Sequence, residues 1–176
     1  MVQDMSHSKH LEGQEYRKNT KKRNDPISVP LSLKKIERFL KCSPTYIGAI
    51  FASSFEKMLL KIEEYSMIVY CNFHWLCIYS TKDTFEIFDP SGFLQKSKCF
   101  TKKFFTFLKS HISGKILYCN PKIQSDKSQY CGLYVIFYIK MRDMGYSFRD
   151  ILRKFSKRLR KNDQLVKEYV EKIYTV

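Results

Sequence analysis

Cys131 stands where a polar loop (120–129) gives way to the apolar run CGLYVIFYIKM (131–141). If that run is a helix, the thiol sits at its N-terminus. Unpaired N–H groups and a positive partial charge there favour thiolate, the nucleophilic form of sulfur. Gly132 follows, and without a Cβ it lets substrate or another backbone approach the sulfur. His74 is one of four histidines and lies between two apolar, strand-like runs, where an imidazole is out of place without a partner. Asp89 ends a third such run, in Asp-Pro-Ser-Gly, fifteen residues after His74. Adjacent antiparallel strands of that spacing bring both residues to one end of a sheet. Gln124 precedes Cys131 by seven residues, so its amide can join the Cys131 N–H in holding a developing oxyanion. Gln129 competes for that role by position. Each residue alone has an ordinary reading: a core histidine, a turn aspartate, a solvated glutamine, a structural cysteine. Together they make a nucleophile, a base that becomes an acid, an orienting carboxylate and an oxyanion hole. The chain order His, Asp, Gln, Cys excludes the papain-like arrangement, in which the cysteine comes first.

The elements that must carry these residues follow from periodicity. Leu33, Ile36, Phe39 and Leu40 recur at helical spacing behind Ser32 as N-cap, and Ser43-Pro44 ends that helix. A short apolar segment, TYIGAIFA, follows, and Phe55, Met58, Leu59 and Ile62 mark a second amphipathic helix. Residues 67–73, 74–80 and 84–89 read as strands, with turns at 81–83 and 90–92. A basic amphipathic helix is expected over 95–112 and a fourth strand over 115–119. The run 131–141 is apolar on nearly every side, as a buried helix is. Gly145 closes it, and Ser147 with Asp150 opens a helix over 148–160 like a capping box. Asp163 is expected to cap a last helix through Ile173. The order predicts an α+β fold: a small, mostly antiparallel central sheet packed on the buried helix that starts at Cys131, with flanking helices.

The 176 residues suit one domain, spanning 28–176 behind a polar tail (1–27). A chain of this length can bury roughly 70 % of its unfolded surface, so it needs no disulfide staples. With no C-x-x-C pair among the six cysteines, a zinc ribbon is not expected. Most of the cysteines should be reduced and buried. The N-terminus has no apolar h-region, no run approaches the ~20 residues that span a bilayer, and neither secretion nor a membrane is expected. Thirty-two Lys and Arg against seventeen Asp and Glu give +15. Such a balance suits a polyanion, and so does RKFSKRLRK (153–161), with Arg153, Lys154, Lys157, Arg158, Arg160 and Lys161. The 24 Lys against 8 Arg equally fit a coding bias of an A/T-rich genome.

HW (74–75), FDPSG (88–92) and IQSDKSQYCGLY (123–134), in this order and spacing, resemble the adenovirus-type maturation cysteine proteases, the adenain family. The wider group holds SUMO-specific proteases and the capsid proteases of virophages and Polinton-like elements. LKKIERFLKCSPTYIGAIFASSF looks like that family's opening helix and glycine-containing segment, and the resemblance covers about 33–140. It implies that His74 is the general base, Asp89 its orienting partner, Cys131 the nucleophile and Gln124 the oxyanion donor. It implies that Trp75 and Gly132 wall a narrow substrate channel admitting small, glycine-containing sites. No cofactor is required for the chemistry. The adenovirus enzyme is stimulated by DNA and by a capsid-derived peptide joined through a disulfide. Non-specific double-stranded DNA and a peptide are therefore implied activators, with Cys119, Cys42 or Cys99 as the linking thiol.

The function expected is a thiol endopeptidase, acting as a monomer on viral capsid or core precursors in the virion, the host cytoplasm or a virus factory. Three rivals stand beside it. A protease of ubiquitin-like modifiers would need a large docking surface. A basic DNA-packaging scaffold would make the four site residues coincidental. An acyltransferase on the same scaffold would need an acyl-donor site, and no such site is recognisable.

Overall fold

In the computed structural model, the structure describes residues 31–58, 63–92 and 102–174. The chain runs α1 (Leu33–Leu40), β1 (Tyr46–Phe51), a 3-10 segment (Ala52–Met58), β2 (Tyr65–Cys71), β3 (His74–Ser80) and β4 (Thr84–Phe88). It continues with α2 (Lys102–His111), β5 (Lys115–Tyr118), α3 (Cys131–Asp143), α4 (Phe148–Arg153) and α5 (Leu159–Tyr174). The five strands form one sheet in sequence order. Its centre, β2–β3–β4, is an antiparallel meander, and β1 and β5 add to the two edges in parallel. The fold is α+β, as the order of elements implies.

Both faces of the sheet are covered. Ile68, Cys77, Tyr79 and Phe88 face α3, with α1 and α5 beyond it. Val69, Leu76, Ile78, Phe85 and Ile87 face the 3-10 segment and α2 through Phe55, Phe104 and Leu108. In α3 the side chains from Cys131 to Ile139, and Met141, are buried, which an all-round apolar helix requires. Tyr146 N bonds Met141 O at 3.1 Å and Gly145 N bonds Arg142 O at 2.8 Å, so α3 ends in a Schellman motif. Covering both faces also buries Glu86, which accepts from Tyr138 Oη and lies 3.1 Å from Arg142 Nε.

Several elements differ from expectation for physical reasons. TYIGAIFA becomes the edge strand β1. The second helix is a kinked 3-10 turn at Ala52–Met58, with non-helical Ser54; Leu59 and Ile62 fall outside the described residues. The tail (1–27) and the first turns of the expected 95–112 helix lie outside them too. Residues 148–160 are not one helix. Ser156 N donates to Asn162 Oδ1 at 2.8 Å, drawing the chain out of α4 before α5 starts at Leu159. Asp163 is therefore inside α5 and does not cap it.

Asn72 and Phe73 form the two-residue turn between β2 and β3, with φ of 48° and 62°. Two positive φ values make the primed hairpin geometry that matches strand twist. Asparagine tolerates it, whereas Phe73 pays Cβ strain and, at 94 % exposure, regains none by burial. Phe73→Gly should therefore stabilise the chain by about 0.5–1 kcal/mol, glycine's extra unfolded freedom offsetting part of the gain. Thermal unfolding should shift up by about 1–4 °C. A lower midpoint would mean that the phenyl ring holds a contact worth more than the strain.

Candidate active site

The β2–β3 hairpin sets the first site residue. Cys71 pairs with His74 across the two-residue turn, so the imidazole stands at the very end of β3. Strand β4 pairs with β3 through Cys77 and Phe88, which puts Asp89 one residue beyond the pairing, at the same sheet end. His74 Nε2 lies 2.7 Å from Asp89 Oδ1. With Nε2 committed to the carboxylate, Nδ1 is the nitrogen left for Cys131, whose nearness also favours the protonated ring. Cys131 opens α3, whose first N–H groups have no intrahelical acceptor. Antiparallel register and a buried helix thus bring together three residues that are 57 positions apart from end to end.

Asp89 is almost wholly buried. Its Oδ1 accepts from His74, from Ser91 N at 2.9 Å and from Ser91 Oγ at 2.7 Å. Burial would raise its pKa, but the hydrogen bond and charge of His74 and the two bonds from Ser91 outweigh it and hold the carboxyl below its ordinary value. For His74 burial works the other way and favours the neutral ring. The hydrogen bonds to Asp89 and Cys131, and the negative charge each can carry, overcome it and push the pKa up to about 9. Both shifts are linked to stability. The His74 contribution is whole below 6.5, its ordinary value, and is lost as pH rises through about 9. The Asp89 contribution is whole above 3.8 and is lost on acidification.

Gln124 is buried, and its backbone N donates to Pro90 O at 2.9 Å, next to Asp89. Gly92 makes this possible: its φ is +86°, and a Cβ there would meet Lys122 N at 3.0 Å. One hydrogen of the Gln124 amide goes to Ser128 O at 2.9 Å, while Oε1 is buried without a partner. The second amide hydrogen is not used by that bond. Gln124 and His74 line one cavity of about 190 Å3, with Ser91, Lys122, Ser125, Asp126 and Ser128. Gln129 is exposed.

Trp75 and Gly132 both meet the segment that precedes α1. Trp75 Nε1 donates to Leu31 O at 3.0 Å, and its ring lies 4.6 Å from that of Tyr70. A Cβ on Gly132 would meet Ile36 Cδ1 and Leu31 Cβ, both at 3.1 Å. The missing side chain lets α1 and the segment before it pack on the start of α3, and Trp75 pins that segment.

The other thiols are set apart from this chemistry. Burial pushes the Cys77 and Cys119 thiols up. Cys119 is fully enclosed and donates to Pro121 O at 3.6 Å, so a peptide thiol has no path to it. Cys42 is exposed and free, Cys71 is disulfide-bonded, and Cys99 lies outside the described residues. The break at Ser156 splits the basic segment. Arg153 pairs with Asp150 at 3.2 Å, Lys154 lies 4.4 Å from the Tyr146 ring centroid and Lys157 is exposed. Arg158, Arg160 and Lys161 line an open cavity of about 540 Å3 with Lys127. The six cations therefore do not form one helical stripe.

Sequence reasoning missed Ser91, although Asp-Pro-Ser carries the signal of an Asx-turn, in which the aspartate accepts from the N–H two residues on.

No protein-family model matches the chain, and no curated protein matches it. Among solved structures, it aligns with the ASFV pS273R protease at TM-score 0.43 and 20 % identity, over 61 % of this chain and 42 % of that one. The selenomethionine form of that protease gives TM-score 0.44 and 19 % identity, over 61 % and 43 %. The chain thus spans less than half the length of that enzyme. It also aligns with the central domain of the uncharacterized Lpg1148 protein from Legionella pneumophila, at TM-score 0.44 and 15 % identity, over 74 % of this chain and 89 % of that domain.

The imidazole's environment gives a direct test. In an NMR titration the His74 ring should titrate near pH 9 in the native chain. It should titrate lower in Cys131→Ala, which deletes two of the influences that raise it. A His74 titration unmoved by Cys131→Ala would contradict the contact.

Proposed function

We propose that this chain is a cysteine endopeptidase. The observation that carries the reading is the convergence of Cys131 and Asp89 on one imidazole, with Gln124 lining a cavity beside His74. The thiolate is the nucleophilic form of sulfur, and His74 is the group beside it that can hold its proton. Cys131 Sγ attacks the scissile carbonyl, an S–C bond forms, and the oxygen takes the negative charge. The Gln124 amide and the Cys131 N–H stabilise that oxygen. As the C–N bond breaks, His74 gives its proton to the leaving amine, and the acyl group stays on sulfur. Neutral His74 then takes a proton from water, whose oxygen attacks the thioester carbonyl; the C–S bond breaks, the sulfur leaves as thiolate beside the imidazolium, and the acid is freed. Asp89 holds the ring and balances its charge throughout.

The adenain-like motifs around His74, Asp89 and Cys131 support processing of viral capsid or core precursors at glycine-containing sites.

Cys131→Ala and His74→Ala should each lower cleavage of a glycine-containing peptide library by about 10³-fold or more. Their thermal unfolding should stay cooperative. Assays should be run with and without double-stranded DNA. Turnover retained by either variant would overturn the assignment.

A further inference from the structure

Two adjacent polar residues of α5, Asn162 and Asp163, are buried, and the mechanism does not use them. A buried carboxylate is costly unless its oxygens are hydrogen-bonded, so what Asp163 binds is informative. Its carboxylate accepts from Ser125 Oγ, from Ser125 N at 3.4 Å and from Tyr134 Oη at 2.9 Å. Asn162 Nδ2 donates to Ile123 O at 2.9 Å and to Ser156 O at 2.9 Å. The residues on either side of Gln124 are therefore gripped by neighbouring side chains of one helix. On the opposite flank, Ile123 N and Gln124 N both donate to Pro90 O, beside Asp89. Tyr134 lies three residues, about one helical turn, beyond Cys131 on α3. Asp163 thus joins the loop that presents the Gln124 amide to the helix that presents the nucleophile.

From this geometry we infer that Asp163, seconded by Asn162, is a positioning residue that fixes the oxyanion-stabilising amide of Gln124 relative to Cys131. The inference rests on the peptidase reading and adds a determinant of its rate. Preorganised donors act only at the right distance, and a misplacement of about 1 Å can cost about 10²-fold. Nothing in the Asp163 contacts touches His74 or the sulfur. Its removal should weaken oxyanion stabilisation and spare the thiolate.

Two reagents separate these effects. Iodoacetamide alkylates the Cys131 sulfur by displacing iodide, with no oxyanion. N-acetylglycine p-nitrophenyl ester acylates it: the S–C bond forms through an oxyanion and the C–O bond breaks, releasing p-nitrophenolate. The full chain should be compared with Asp163→Asn, with Ser125→Ala, which keeps Asp163 but removes one donor to it, and with Gln124→Ala as the benchmark. Asp163→Asn should lower Cys131-dependent acylation by about 10- to 100-fold, and Ser125→Ala by a few-fold in the same direction. Alkylation of Cys131 should stay within about twofold of the native chain in both, because neither touches the imidazole. An unchanged acylation-to-alkylation ratio in the variants overturns the positioning role, whether both rates hold or both fall. If Asp163→Asn does not fold, Ser125→Ala decides alone. If Cys131 of the native chain reacts with neither reagent faster than Cys42 does, the peptidase reading falls and this inference falls with it.

Discussion

A helix that is apolar around its whole circumference has to be enclosed on every side, and that constraint on α3 organises the rest of this chain. The sheet closes one side, and α1, α4 and α5 close the others. Only the start of the helix can meet polar neighbours, and its unpaired N–H groups demand them. Cys131 occupies that start. The strand ends bearing His74 and Asp89, and the loop bearing Gln124, arrive at the same place. The site is where the enclosure of the core leaves off.

Charge at that place is balanced locally rather than by solvent. Asp89 is buried, yet three donors converge on its Oδ1. The protonated imidazole supplies the countercharge. Burial works against the ionised forms of both His74 and Asp89, and in both the partner contacts win. The arrangement is sustained only while all members are present, as a buried polar network has to be. Glu86 is the contrast: Tyr138, Thr84 and Arg142 surround its carboxylate, yet burial outweighs them and raises its pKa.

Much of this was legible in the sequence because it depends on local pattern. Alternating β-branched and aromatic residues marked the meander, and an apolar run behind a polar loop marked α3. The spacing of His74 and Asp89 put both at one sheet end. What could not be read depends on distant partners. Asp163 looks like a helix cap, and only its bonds to Ser125 and Tyr134, 38 and 29 positions away, make it an internal clamp. The continuous helix expected over 148–160 fails because Asn162 captures Ser156. Gly132 could serve substrate or backbone on sequence grounds, and the approach of Leu31 and Ile36 gives it to packing. Glu86 alternates with apolar neighbours as an exposed residue would, and a second layer of helices buries it.

The central claim is that Cys131 owes its reactivity to His74 and not to exposure. It is 7 % exposed, whereas Cys42 lies open to solvent. The most direct measurement is the rate of iodoacetamide labelling at each cysteine at about pH 6, mapped by mass spectrometry in the native chain and in His74→Ala. Ordinary thiols, with pKa about 8.5, react slowly there. The account predicts that Cys131 labels fastest despite its burial, and that His74→Ala removes the advantage. Labelling led by Cys42, or a Cys131 rate indifferent to His74, would contradict it.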